Sequence, residues 1–388
     1  MKKINILIDY PVVEGKYTGQ TFPNIIFKEL KSDKRFNVYL PKKKINKNLD
    51  VILVFAGGNH FSLKDTSVNN LSILEIVNRI FIKFEHIFLW FGKYLSLYKI
   101  GFYQKFLTGN KSYEKWLYKN IKLNKNCKVV HRLDGVYKII CKNYGVDTTV
   151  KNINSFAHLT IHQSKYSMKV WEKETQTIFG SNVKLKSKNK ILIQNGVNTS
   201  IFRPNGQKFK LPGKWKILHV SASKMPNKNL HSLLETAEIL KDNKKFKFYL
   251  IGNQIHDPIC GKDIKYFKNC NYIGNINNIK KLAKYYRSCD ILFFPTINDC
   301  SPNVILEAMA SGLPVVIANS GGSPELIFKK NLRGGVVFDK KNPILALKTI
   351  VDNYKKFKSD SISIVKQFHD SKMVAEIYKR EILKLLKK

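Results

Sequence analysis

Asp290-Ile-Leu-Phe-Phe-Pro-Thr-Ile-Asn-Asp299-Cys-Ser-Pro-Asn-Val-Ile-Leu-Glu307-Ala-Met-Ala-Ser-Gly312-Leu-Pro-Val-Val-Ile-Ala-Asn-Ser-Gly321-Gly322-Ser-Pro-Glu325 is the stretch on which the fold turns. Ile291 to Phe294 is a short apolar run, the length of a buried strand. Pro295 to Cys300 reads as a loop at that strand's C-terminal end. Ser301 has the chemistry of an N-cap, and Pro302 fits the first helical position, where its missing N–H costs nothing. The pattern predicts a helix running to Ser311 and stopped by Gly312 at C′. Its free N–H groups and positive dipole end would face the crevice above the sheet and hold an anion there. Two carboxylates flank that place: Asp299 just before the helix, and Glu307 between one and two turns inside it. The competing reading is an ordinary strand–loop–helix unit, with Pro302 and Gly312 as helix punctuation and nothing more.

An acidic residue, seven residues, a glutamate and then Ala-Met-Ala-Ser-Gly-Leu-Pro-Val-Val resembles the retaining GT-B glycosyltransferases of family 4, of the cell-surface polysaccharide and lipopolysaccharide type. The resemblance implies an α/β fold of two Rossmann-like, doubly wound parallel-sheet domains facing a cleft. It implies that Glu307 accepts hydrogen bonds from the nucleotide ribose and that Asp299 faces the transferred sugar. The backbone around Cys300, Ser301 and Asn303 would cradle the distal phosphate. The family more often has Glu at the first acidic position. Asp is one methylene shorter, which bears on sugar identity more than on fold.

The rest of the chain extends the resemblance. Lys128 to Gly135 reads Lys-Val-Val-His-Arg-Leu-Asp-Gly, a strand ending near Asp134. Period-two alternation puts Arg132 and Asp134 on one face and His131 on the other. Relatives place a histidine near this strand's end, close to the transferred sugar; Asp134 is the better positional match here, and His131 reads as a residue satisfied by packing or a backbone hydrogen bond. Leu159 to Ser164 is similar to the next crevice strand. Ile191 to Pro204, with its Asn195-Gly196 turn, is similar to the interdomain connection. The loop Ser221-Ala-Ser-Lys224-Met-Pro-Asn-Lys228-Asn follows a strand, in the place where the family carries an Arg and a Lys against the donor diphosphate. Lys228 matches the lysine through Pro-Asn-Lys-Asn-Leu. The arginine is absent, and Lys224 is the substitute, binding phosphate as a point charge and not as a fork. Glu325 either helps to shape the donor site or caps the next helix, and capping is the better reading. At the N-terminus a strand over Lys3–Asp9, a loop with Gly15 and Gly19, and a helix over Phe22–Leu30 resemble the family's opening unit, where Gly19 would line the crevice. Gly57 and Gly58 follow a second buried strand and either admit a ligand or turn the chain.

The bulk numbers bound the remaining classes. A chain of 388 residues is too long for one core and suits two domains. These are expected over 1–200, on the acceptor side, and 201–370, on the nucleotide-sugar side, with a last helix over 371–388 packing back on the first. Hydrophobic content of 44% argues for a folded globule. No apolar run reaches a membrane span, and the N-terminus is too strand-like for a signal peptide. Six cysteines without a Cys-x-x-Cys pair disfavour zinc or a disulfide framework and point to a reduced, cytoplasmic setting.

The net charge is +40. It is spread evenly: residues 1–200 carry 34 basic against 13 acidic side chains, and the remainder 34 against 15. Only seven of the 68 are arginine, the residue best suited to reading bases, so nucleic acid is a poor partner. Compositional drift and attraction to anionic lipid on the inner face of a membrane both account for the lysines. Residues 71–107 interleave Phe, Trp and Tyr with Lys83, Lys93, Lys99 and Lys105, which suits either an interfacial helix or core helices on the sheet.

The expected function is transfer of a sugar, with retention, from a UDP- or GDP-linked nucleotide-diphospho-sugar to a glycan or lipid-linked acceptor, without metal or cofactor. Asp134, Asp299 and Lys228 would be catalytic. Glu307, Lys224, Lys228, Ser301, Asn303, Cys300 and Gly19 would bind the donor. Two rivals stand: nucleotide-sugar hydrolysis or epimerisation on the same fold, and a catalytically degenerate basic scaffold for membrane or nucleic acid.

Overall fold

The computed structural model describes residues 3–9, 21–40, 48–55, 111–136, 139–140, 144–173, 185, 189–221, 226–253, 263–339 and 342–387. The expectations for Gly15, Gly19, Gly57, Gly58, Lys224 and residues 71–107 lie outside them.

Apolar runs build two parallel sheets. The first takes β1 (Ile4–Asp9), β2 (Phe36–Tyr39), β3 (Val51–Phe55), β4 (Lys128–Arg132), β5 (Leu159–His162) and β6 (Lys190–Leu192), in the order β2-β1-β3-β4-β5-β6. Every pairing is parallel. Strands of such a sheet are covered on both faces, which is why Val-Ile-Leu-Val-Phe in β3 is buried throughout. Helices α1 (Thr21–Lys31), α2 (Lys111–Leu123), α3 (Tyr144–Asn154) and α4 (Lys165–Lys173) accompany this sheet.

The second sheet takes β7 (Trp215–Ser221), β8 (Phe246–Gly252), β9 (Cys270–Gly274), β10 (Ile291–Phe294), β11 (Val315–Ala318) and, after the small hairpin β12 (Phe328–Lys329) and β13 (Leu332–Arg333), β14 (Gly335–Phe338). Its order is β14-β11-β10-β7-β8-β9, again parallel. From β9 inward this is a doubly wound sheet whose strand order reverses between β7 and β10, and ligands on such sheets bind outside the C-terminal strand ends at that reversal. Helices α5 (Leu230–Ile239), α6 (Ile279–Ser288), α7 (Asn303–Ala310), α8 (Ser323–Ile327), α9 (Pro343–Asp352) and α10 (Tyr354–Ile364) belong to this half.

The last helix, α11 (Ser371–Leu386), returns to the first sheet. Val374, Ala375, Tyr378, Ile382 and Leu385 are buried in one core with Ile6, Phe22, Ile26 and Val51. Tyr378 and Phe22 meet with ring centroids 5.9 Å apart. The chain therefore crosses between the halves twice, and the crossings touch: Val197 N–H donates to His369 O at 2.8 Å, and Ser371 N–H to Val197 O at 3.0 Å.

Two expectations fall on this framework. Tyr378→Ala empties a fully buried ring site and lowers stability by about 3 kcal/mol. Tyr266→Ala, at a side chain 62% exposed, stays within about 0.5 kcal/mol; denaturant midpoints check both. Burial holds His162, His219 and His369 down at about 4 against the ordinary 6.5. Between those values the unfolded chain binds these protons and the native protein does not, so stability present above pH 6.5 is lost as pH falls towards 4. Three such protons give a slope of about 4 kcal/mol per pH unit, measurable as the pH dependence of the denaturant midpoint.

Candidate active site

The reversal of the second sheet brings two loops together. One follows β7 and carries Lys228; the other follows β10 and carries Asp299. Backbone and amide bonds join them: Ile297 N–H donates to Asn227 O at 2.8 Å, and Asn229 Nδ2 donates to Pro295 O at 3.2 Å. Lys228 Nζ then lies 3.1 Å from Asp299 Oδ2, and both side chains keep partial contact with water, at 19% and 23% exposure. A cation and a carboxylate are thus paired beside the start of α7, where the positive end of the helix dipole favours an anion.

Ser301 is not the N-cap of α7. Pro302 holds that position with extended backbone, φ −69° and ψ 120°, and the helix begins at Asn303. Asp299 Oδ1 accepts the Ser301 N–H at 3.3 Å, an Asx-type turn that leads into the helix. Gly312, at φ +84°, ends the helix in the left-handed region. Cys300 is buried, and burial foremost, then Asp299, pushes its thiol well above the ordinary range. Glu307 lies in the domain core at 1% exposure, where the Tyr286 hydroxyl donates to its Oε2 at 3.0 Å.

Asp134 reaches the same crevice from the first domain, at the end of β4. Its side chain is 44% exposed, and its Oδ1 accepts from Arg132 Nη1 at 3.2 Å and from Gln163 Nε2. The indole of Trp171 donates to its backbone oxygen at 2.8 Å. Arg132 is 4% exposed, with its guanidinium 4.8 Å from the Phe22 ring centre and 5.5 Å from that of Phe55. Its other amino group donates to Asn195 Oδ1. Asn195 Nδ2 in turn contacts Ser301 O and Asn303 Oδ1, each at 2.9 Å. Asp134, Ser301 and Asn303 are therefore linked through Arg132 and Asn195. His131 is fully buried on the other face, with its Nδ1 3.2 Å from Asn154 Nδ2. Among the described residues no three His, Cys, Asp or Glu side chains gather as a metal cluster, and no helix is long and apolar enough to cross a membrane.

Glu325 caps a helix, but not its own. Its carboxylate accepts the N–H groups of Lys165 and Tyr166, both at 2.8 Å, at the start of α4 in the other domain. Sequence reasoning missed this, as it missed Asn195, which reads locally as a turn residue. Neither has a local signal: the Arg132 and Ser301 partners of Asn195 lie 63 and 106 residues away, and the Lys165 partner of Glu325 lies 160 away.

Asn195→Ala leaves a buried guanidinium and the Ser301 carbonyl short of a partner. The expected cost is about 3 kcal/mol, read from the denaturant midpoint.

Residues 214–354 match the family described as glycosyl transferases group 1. A segment is 27% identical over 172 residues to N,N'-diacetylbacillosaminyl-diphospho-undecaprenol alpha-1,3-N-acetylgalactosaminyltransferase of Campylobacter jejuni, covering 41% of this chain and 44% of that protein. The chain spans less than half the length of the curated relatives it matches. Among solved structures, sucrose-phosphate synthase from Thermosynechococcus elongatus superposes with a TM-score of 0.64 at 14% identity, over 99% of both chains. Anabaena HepE, in complex with UDP and glucose, gives 0.59 at 14% identity over 98% of this chain and 99% of its own. At such identity the likeness is one of fold. The chain thus has the GT-B fold, two parallel-sheet α/β domains, and the stretch that matches the group 1 glycosyl transferase family falls on the second of them.

Proposed function

We propose that the protein is a retaining glycosyltransferase that moves a sugar from a nucleotide-diphospho-sugar to a glycan or lipid-linked acceptor in cell-surface polysaccharide synthesis. The observation that carries this is the Lys228–Asp299 pair at the reversal of the second sheet, beside the start of α7 and inside the family-matched segment. A UDP- or GDP-linked donor would lay its diphosphate against Lys228 and the backbone of Cys300, Ser301 and Asn303. Lys224 is the second cation that the sequence offers. Asp299, released from Lys228, would then take hydroxyls of the transferred sugar, and Glu307 would take the ribose hydroxyls by exchanging its Tyr286 bond.

The bond from the anomeric carbon to the distal phosphate oxygen breaks, and the acceptor oxygen bonds to the same face of that carbon. The acceptor proton passes to the leaving phosphate oxygen. Preorganised cations and N–H groups stabilise charge that grows on the diphosphate, the largest contribution in reactions of this kind. Asp134, fixed by Arg132 and Gln163, would stabilise positive charge at the anomeric carbon. These groups supply the chemistry without a metal or cofactor. The acceptor would lie along the first domain, and the lysine-rich surface suits a site on the cytoplasmic face of a membrane with anionic lipids.

A melting panel with UDP, GDP and their sugar conjugates tests the donor site. A ligand at a hundred times its dissociation constant adds about 2.7 kcal/mol to the native state, so one nucleotide class should raise the melting temperature. Lys228→Ala should abolish most of that rise while leaving the unliganded melt nearly unchanged. Equal shifts in both proteins would remove Lys228 from the site.

A further inference from the structure

The Glu325 cap sits among other contacts that all fasten the same two surfaces. The Tyr166 hydroxyl donates to Asn298 Oδ1 at 3.1 Å, so α4 touches the loop that carries Asp299. Asn298 has left-handed backbone at φ +58°, and its N–H donates to Ser320 Oγ at 3.0 Å. Gly322 N–H donates to Asp299 O at 2.8 Å. A Cβ at Gly322 would stand 2.0 Å from Cys300 O and 2.7 Å from Ser164 Oγ, one neighbour from each domain. One turn beyond Glu325, Lys329 Nζ donates to Gln194 Oε1 in the interdomain connection. The loop presenting Asp299 is thus held on one side by its own domain and on the other by α4.

The physical consequence is directional. A carboxylate that takes two N–H groups at a helix start is a charge-assisted contact, stronger than a neutral one. It exists only while the domains are together. We propose that Glu325 is a positioning residue that couples domain closure to the order of the 298–301 loop, and so to the pairing and presentation of Asp299; its bearing on turnover rests on the donor-site reading above. Glu325 touches neither Asp299 nor Lys228 in this arrangement and acts through α4, Tyr166 and Asn298.

Hydrogen exchange by mass spectrometry on the full chain tests this, with peptides covering 163–168 and 296–301 compared in the native protein, Glu325→Ala and Glu325→Gln. The expected result for Glu325→Ala is exchange faster by about tenfold or more in both peptides, with Glu325→Gln, which keeps one acceptor oxygen, in between. Faster exchange confined to 163–168 would reduce Glu325 to a helix cap, and no change in either peptide would remove it altogether; both overturn the proposal. Should Glu325→Ala fail to fold, Tyr166→Phe decides: faster exchange in 296–301 supports the coupling and unchanged exchange overturns it. Calorimetric titration with UDP and GDP separates this from the donor assignment. If the donor reading holds, the nucleotide dissociation constant stays within about threefold in Glu325→Ala while kcat with the matching nucleotide-sugar falls about 10- to 100-fold. If neither nucleotide binds the native protein, the donor reading fails and the exchange result still decides the coupling.

Discussion

A guanidinium taken almost fully out of water must be answered by polar groups, or it costs several kcal/mol. Arg132 is answered by the first domain and by the connection that leaves it. Phe22 and Phe55 offer ring faces, Asp134 a carboxylate and Asn195 a carbonyl oxygen. Asn195 belongs to the connection between the halves, and its amide passes on to Ser301 and Asn303 at the start of α7. One chain of bonds across the domain interface therefore starts at this buried cation. Two residues expected to meet a substrate from opposite sides, Asp134 and Asn303, owe their relative positions to this chain of bonds.

The second constraint is topological. A parallel sheet puts all its C-terminal strand ends on one edge, and a reversal of strand order opens a gap there between adjacent loops. In the second domain the gap lies between β7 and β10. Lys228 and Asp299, 71 residues apart in sequence, close it with an ion pair. That pair is partly solvated, so it is worth little as a source of stability. Its weakness suits a site whose cation has to change partners when an anion arrives.

How far the sequence could be read follows from the range of each interaction. Val51–Phe55, Trp215–Ser221 and Ile291–Phe294 are legible because a buried strand is a local apolar run. Gly312 is legible because only the left-handed region of its own backbone matters. Ser301 misleads by one position: its residue type suits an N-cap, but Pro302 takes that place with extended backbone. Arg132 and Asn195 are illegible as partners because nothing near either states what lies across the interface. Glu325 is the sharpest case. Local grammar assigns it to the helix it begins, whereas its carboxylate serves a helix 160 residues earlier.

The lysines show the same division between type and place. With 61 of them in 388 residues, residue type says almost nothing about function. Surface positions such as Lys241, paired with Glu238 within one helix turn region, follow from composition and local charge alone. Lys228 differs in being placed by fold: its loop is pinned to the β10 loop by Asn227 and Asn229, so its ammonium has few places to go. Lys329 differs again, since burial lowers its proton affinity and Gln194 takes its ammonium in the interdomain connection. A high background of positive charge would draw anionic substrates towards the molecule from any direction. A cation whose position is fixed by its neighbours is a different matter from that background, and Lys228, paired with Asp299 beside the start of α7, is one.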